Sequence, residues 1–435
     1  IDTSSAPASA VTINATATAS EDLTINAGDA EIELNGTFNG DVNVALNTTG
    51  VTDINEAIGG GSAVSSLTTN VGGTTELNAD VSAQGGTLTF RDAVELTSSV
   101  TLTDTGSTGL TFEQTVDGPF NLTLNVDAVT TFVGEVGSGN ALGTGTGAAI
   151  DLNSTGTTEF QNTVQAASGI AQEIAAGDVT FRENVTVSAG DTGSTFNEDV
   201  VLDGLTFTSN GGLDVQFGNA AGVDQLTLSG GDVTFDINAG AAGNASLDVQ
   251  AAVDGGVDLI LNVDGTTTFQ GDVGQTTAIG DGTDAAIIIN SIGTSEFQSA
   301  VEAASGIVQD SAAGLLTFRE NVTVAAGDTN TTFDADVVLD GLTFDAEGAV
   351  TFGSGVANED SLTIGAGGAT IIDTASAGTP VEINAAVTLN EDLTVTAGGG
   401  RIQTDGTIDG NQNLIFNSSG VTRINGEIGG VTPVA

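Results

Sequence analysis

The side chains able to do chemistry are few in kind. The chain of 435 residues has no His, Cys, Met, Trp or Tyr, and its five basic residues are all arginines: Arg91, Arg182, Arg319, Arg401 and Arg423. Without imidazole, thiolate, amine or phenol, acid–base and nucleophilic work falls to carboxylates and hydroxyls alone. The usual ligands of zinc, haem and iron–sulfur centres are also missing. Carboxylates are abundant, with 57 Asp and Glu setting a formal charge of −52. Such a surface repels a polyanion, so nucleic acid is not an expected partner.

The acids and arginines suggest three kinds of site. Asp281-Gly282-Thr283-Asp284, Asp334-Ala335-Asp336 and the turn acids Asp191 and Asp328 are the oxygen-rich candidates for calcium, although the sequence holds neither an EF-hand loop nor a GGxGxD array. No motif requires any other cofactor. The tripeptides Phe90-Arg91-Asp92, Phe181-Arg182-Glu183 and Phe318-Arg319-Glu320 hold three of the five cations and read as ion-pair hubs. Two carboxylates suffice for glycoside hydrolysis. However, the pair Asp199 and Asp203 recurs as Asp336 and Asp340, whereas a single active site would break a repeat. The chain is therefore not expected to be an enzyme. Sequons at Asn121, Asn184 and Asn321 are expected by chance in so Asn- and Thr-rich a chain.

The elements that hold these residues are repeated. LNVDAVTTFVGEVGSG at 124–139 returns as LNVDGTTTFQGDVGQT at 261–276, and TFRENVTVSAGDTGSTFNEDVVLDGLTF at 180–207 returns at 317–344. Both pairs are offset by 137 residues, so Phe132, Phe160, Phe181, Phe196 and Phe207 recur as Phe269, Phe297, Phe318, Phe333 and Phe344. A longer period of 370 makes residues 371–430 resemble residues 1–60, as in NTTGVTDINEAIGG at 47–60 against NSSGVTRINGEIGG at 417–430. Across that offset Arg401 and Arg423 replace Glu31 and Asp53. The whole chain, 1–435, reads as one continuous β-repeat rod with internal units at 42–117, 118–254 and 255–371.

Alternation of Val, Ile, Leu or Phe against Thr, Asn or Asp predicts strands at 42–46, 87–90, 122–126, 130–136, 259–263 and 414–417. The 62 glycines, with NAGD, GGG, VDG and SNGG between strands, supply tight turns. No helical period is sustained. The fold class is all-β, a parallel β-solenoid with irregular coils of about 20 to 25 residues; the alternative is a tandem array of Ig-like sandwiches. The recurring Phe residues are expected to stack inside the coils rather than to form a ligand platform. Asn14, Asn26, Asn47, Asn125, Asn238, Asn262, Asn384 and Asn417 are expected in turns, with coil-to-coil amide ladders as the alternative. No apolar run reaches the length of a membrane span, and membrane insertion is not expected. The start IDTSSAPAS carries neither Met nor a signal peptide, as expected of a processed chain or a window of a longer one.

The texture of LTLNVDAVTTFVGEVG, TTEFQNTVQAASG and VTFRENVTV resembles the β-strand-repeat regions of large bacterial surface proteins, the filamentous-haemagglutinin-like and autotransporter-passenger group. The resemblance runs through nearly the whole chain at the level of composition and repeats. It implies a right-handed parallel β-helix serving as an extracellular, cell-surface adhesin or structural fibre. The partner expected first is the protein itself, as a head-to-tail homopolymer or a longer tandem-repeat chain, and then a cell-surface or matrix polysaccharide. The alternatives are a calcium-dependent surface-layer or adhesin module and, behind it, a carbohydrate-active β-helix enzyme.

Overall fold

The computed structural model of the protein describes residues 1–5, 8–188, 190–219, 223–238 and 245–434. Ala6 and Pro7 of the opening IDTSSAPAS and Ala189 of the 180–207 block lie outside the described residues. Contacts divide the chain into two compact units, Ile1–Asp214 and Val215–Ala435. The described residues contain no helix, and every strand pair among them is parallel, so the sandwich alternative is excluded. Each unit is a parallel β-solenoid, and the two units together hold about 18 turns.

One coil shows why the sequence winds this way. In the first unit, Leu88–Phe90, Ala93–Leu96 and Val100–Asp104 lie on three successive faces. They pair in register with Leu110–Phe112, Val116–Asp117 and Leu122–Val126 of the next coil. In the second unit, Leu316–Phe318, Val322–Val324 and Thr331–Phe333 pair in the same way with Val337–Leu339, Thr343–Ala346 and Val350–Phe352. Strands of three to five residues alternate buried and half-exposed positions, so each gives the core one to three side chains. A slip of one residue would turn every apolar side chain outward, and this fixes the register.

The strands at 122–126 and 259–263 fall where alternation places them. The predicted strand 130–136 does not run through: it ends at Phe132, and only Val136 resumes pairing, on the next face. Gly134 makes that corner. A Cβ there would meet the Gln114 carbonyl carbon at 2.3 Å, so only glycine lets the two coils approach. Coil lengths are more varied than the sequence suggested: Ile32 lies opposite Thr52, 20 residues on, and Leu122 opposite Ile150, 28 residues on.

The core is a column of aromatic rings among Val, Ile and Leu. Phe90, Phe112, Phe132, Phe160 and Phe181 stack at centroid separations of 5.2, 4.8, 4.6 and 5.0 Å, and Phe196 and Phe207 meet Phe181 edge-on. In the second unit, Phe269, Phe297 and Phe318 stack at 4.8 and 5.2 Å, with Phe333 and Phe344 edge-on to Phe318. All twelve of these rings are buried. Each pair adds about 0.5–1.5 kcal/mol beyond the apolar area it buries.

Candidate functional site

The outward side chains on these coils carry whatever chemistry the protein has. Each arginine of the repeated tripeptides sits just past a buried Phe, at the corner after one face, and points outward. Arg182 is held between Glu159 of the preceding coil and Asp203 of the following one, the latter at 2.9 Å. Arg319 repeats this with Glu296 and with Asp340 at 2.9 Å. The partners come from neighbouring coils and not from the tripeptide itself, because parallel stacking brings Glu159 opposite Thr180 and Glu296 opposite Thr317. Hydrogen bonds from Arg182 and Gln161 hold the Glu159 carboxyl below its ordinary value. Arg401 pairs with Glu382. Arg423 lies on the outward side of Thr422–Ile424, with no carboxylate within ion-pair distance among the described residues.

The first tripeptide behaves differently. Thr68, not an acid, lies opposite Thr89 in the coil before Arg91. Arg91 is left with Glu113 alone, at 3.5 Å and beyond a close charge-assisted contact. Its neighbour Asp92 turns inward and is 2% exposed, whereas the corresponding Glu183 is exposed. The cause lies one coil earlier. Three residues (182–184) separate the buried positions Phe181 and Val185, and three (161–163) separate Phe160 and Val164 in the coil before. Between Thr69 and Thr75 the corner takes five residues (70–74), with Gly72 and Gly73 both at φ +92°. This wider corner leaves room for Asp92, which accepts from Thr69 Oγ1 at 2.6 Å and from Thr75 Oγ1 at 3.0 and 2.9 Å.

Burial pushes the Asp92 carboxyl up, against the two hydroxyls that favour its charged form. A cavity of about 290 Å³ opens beside it, between the corners at 71–73, 91–93 and 114–115. The reading of Phe90-Arg91-Asp92 as an ion-pair hub missed this placement of Asp92. The available signal was threonine at inward positions of two neighbouring strands, Ser66–Thr69 and Thr74–Leu77, where apolar residues are the rule.

The calcium candidates are spread along the coils. Asp281 accepts from the backbone and hydroxyl of Thr283 at 2.8 and 2.6 Å, which holds its carboxyl below the ordinary value. Asp284 lies near enough to raise the buried Asp258. Asp191 accepts from Gly147 N–H at 2.8 Å, and the Asp328 N–H donates to the Gly282 carbonyl at 3.2 Å. Asp334 is half-buried and raised by that burial, whereas Asp336 accepts from the Ser361 N–H and hydroxyl, both at 2.8 Å. Among the described residues, no three acids come together closely enough to hold a metal ion.

Asparagine needs a correction. Asn26, Asn47, Asn125, Asn262 and Asn417 lie within strands and not in turns. Asn47 donates to Asn26 at 2.8 Å, and Asn14, Asn35, Asn55 and Asn78 form a ladder with contacts of 3.0, 2.9 and 3.2 Å. An amide both donates and accepts, so identical residues one coil apart satisfy each other, as the ladder alternative expects for Asn14, Asn26 and Asn47.

No helix among the described residues is long and apolar enough to cross a membrane. Comparison with protein families, with curated proteins and with solved structures finds no match to this chain.

Proposed function

We propose that the protein is a non-enzymatic structural or adhesive fibre of the cell surface, built by end-to-end stacking of β-coils. The observation that carries this is how closely residues 11–58 are repeated, as structure, by residues 381–428. Val11 lies opposite Ile32 as Val381 lies opposite Ile402, and Leu23 opposite Val44 as Leu393 opposite Leu414. Even the irregularity returns, with a bulge between Asn26 and Gly28 and another between Thr396 and Gly398, where Gly28 and Gly398 have φ of +67° and +51°. Asp22 binds Asn43 in the first copy and Asp392 binds Asn413 in the second.

Coils that interchange along a period are the material of a fibre, since a repeated, non-closing contact propagates. An acidic exterior fits a long rod, because like charges keep neighbouring rods apart.

Electron microscopy of the purified protein tests the reading. Filaments, or rods with an axial repeat of about 70–100 Å at roughly 4.8 Å per coil, are the expected result. Monodisperse short particles under all conditions would defeat it. Filaments that dissolve in chelator would instead favour the calcium-dependent module.

A further inference from the structure

Two of the three repeated arginines are each held between two carboxylates and have little left to offer. The third is held on one side only and stands at the rim of a cavity. We infer that the Arg91 cavity is a binding site for a single uronate unit, a carboxylated monosaccharide of an acidic polysaccharide. The inference rests on the adhesive reading above and names the ligand class.

The ligand follows from the lining. The Arg91 guanidinium presents a planar fork of donors, half exposed, and its one ion-pair partner, Glu113, lies 3.5 Å away, while the neighbouring Asp92 carboxylate is taken up by Thr69 and Thr75. An arginine fork matches a carboxylate in two parallel hydrogen bonds, so the group it seeks is a carboxylate. Val71 and Ala93 give the wall an apolar part beside Gly72, Gly73 and Asp92, and Gln114 and Thr115 supply both donors and acceptors. Such a mixed lining suits hydroxyls, which need both. A volume of about 290 Å³ accommodates one sugar ring and not a chain of them. The cavity exists because the 70–74 corner is wider than its counterparts. The free side of Arg91 exists because Thr68 stands where Glu159 and Glu296 stand beside the other two arginines. Both departures from the repeat fall at one place, and together they open an otherwise closed ion pair.

The charge of −52 opposes any anion at long range, but at physiological salt that field decays over about 8 Å, whereas a contact with Arg91 is made within it. Weak, local recognition of single units along a polymer is then the expected mode, strengthened by many copies on a fibre.

The test is titration of the intact protein with galacturonate, galactose and acetate, followed by NMR and calorimetry at about 0.15 M salt. Galacturonate is expected to bind in preference to both others. Arg91→Gln should weaken it by about tenfold or more, and Arg182→Gln should leave it unchanged. Thr68→Glu is the second variant: it restores the missing acid, should clamp Arg91 as Glu159 clamps Arg182, and should abolish binding in a protein that melts like the parent. Galactose or acetate binding as well as galacturonate, binding that survives Arg91→Gln, or no galacturonate binding would each overturn the inference. Filament formation in the same preparations is scored separately, so loss of this site and loss of the fibre reading give different results.

Discussion

Residues 118–207 and 255–344 are two copies of one sequence, and comparing them separates what a coil needs from what it can vary. The ring column, the arginine braces and a buried amide are common to both. Gln172 and Gln309, both buried, donate to the Gly177 and Gly314 carbonyls, each at 2.9 Å. The copies part at the protruding loop before 150 and 287. Asn121 closes the first loop by accepting from Thr144 N–H at 2.9 Å and donating to the Thr146 carbonyl at 3.1 Å. Asp258 takes its place in the second copy. A carboxylate cannot donate, and its one loop contact, from Asp281 N–H, is 3.3 Å long. Burial, and then the charges of Asp232, Asp281 and Asp284, push its carboxyl up. The lesson is that inward positions are constrained by stacking, while the loops between faces are free to trade a neutral clasp for charge.

The comparison is broken most severely at the rings. Phe160→Ala and Phe297→Ala should each cost about 3–5 kcal/mol, read from urea unfolding midpoints, because each ring is stacked on both sides and leaves a cavity that rigid coils cannot close. A loss below about 1 kcal/mol in either copy would show that the column is not what holds the coils together.

Next in size is the buried amide. Gln172→Leu should cost about 1–3 kcal/mol, as it leaves the Gly177 carbonyl and the Glu198 N–H without partners. Gln309→Leu should cost less, since Gln309 Oε1 is already buried without a partner. Equal losses would remove this distinction between the copies.

Asp258→Asn sharpens the comparison by installing the amide of the first copy. It should stabilise the second unit by about 1 kcal/mol at neutral pH by restoring a donor to the loop. The pH dependence follows from the sign of the shift. The folded carboxyl binds its proton at higher pH than the unfolded one, so stability is gained as pH falls through the folded value towards about 4 and is lost as pH rises. Thermal melts of the parent between pH 7 and 4 should show that gain for the second unit, and the variant should flatten it. A variant with an unchanged slope would acquit Asp258.

The smallest effect belongs to the braces. Arg182→Gln and Arg319→Gln should each cost no more than about 1 kcal/mol, equal in the two copies and shrinking with salt, because both guanidinium groups are about half exposed. A difference between them, measured by salt-dependent melting, would mean that the outer ion pairs are not equivalent.

Much of this architecture is legible in the amino-acid sequence. Thr130-Thr131-Phe132 and Thr158-Glu159-Phe160 carry their alternation openly, and the 137-residue offset alone pairs Phe160 with Phe297 as equivalent positions. What resists such reading is anything that depends on which residue lies one coil away. Among the described strands, the distance to that residue varies from 19 to 32 positions. The Asn14–Asn78 ladder, the braces of Arg182 and the isolation of Arg91 all belong to this class.

The amino-acid sequence by itself determined that the chain is all-β, repetitive and without the catalytic alphabet of most enzymes, because alternation, periodicity and composition are local or additive properties. Tertiary structure alone decided which acids meet which arginines, that Asp92 turns inward, and that a cavity opens beside Arg91. Those depend on the length of a corner one coil earlier, and parallel stacking converts that length into neighbours that no spacing rule predicts.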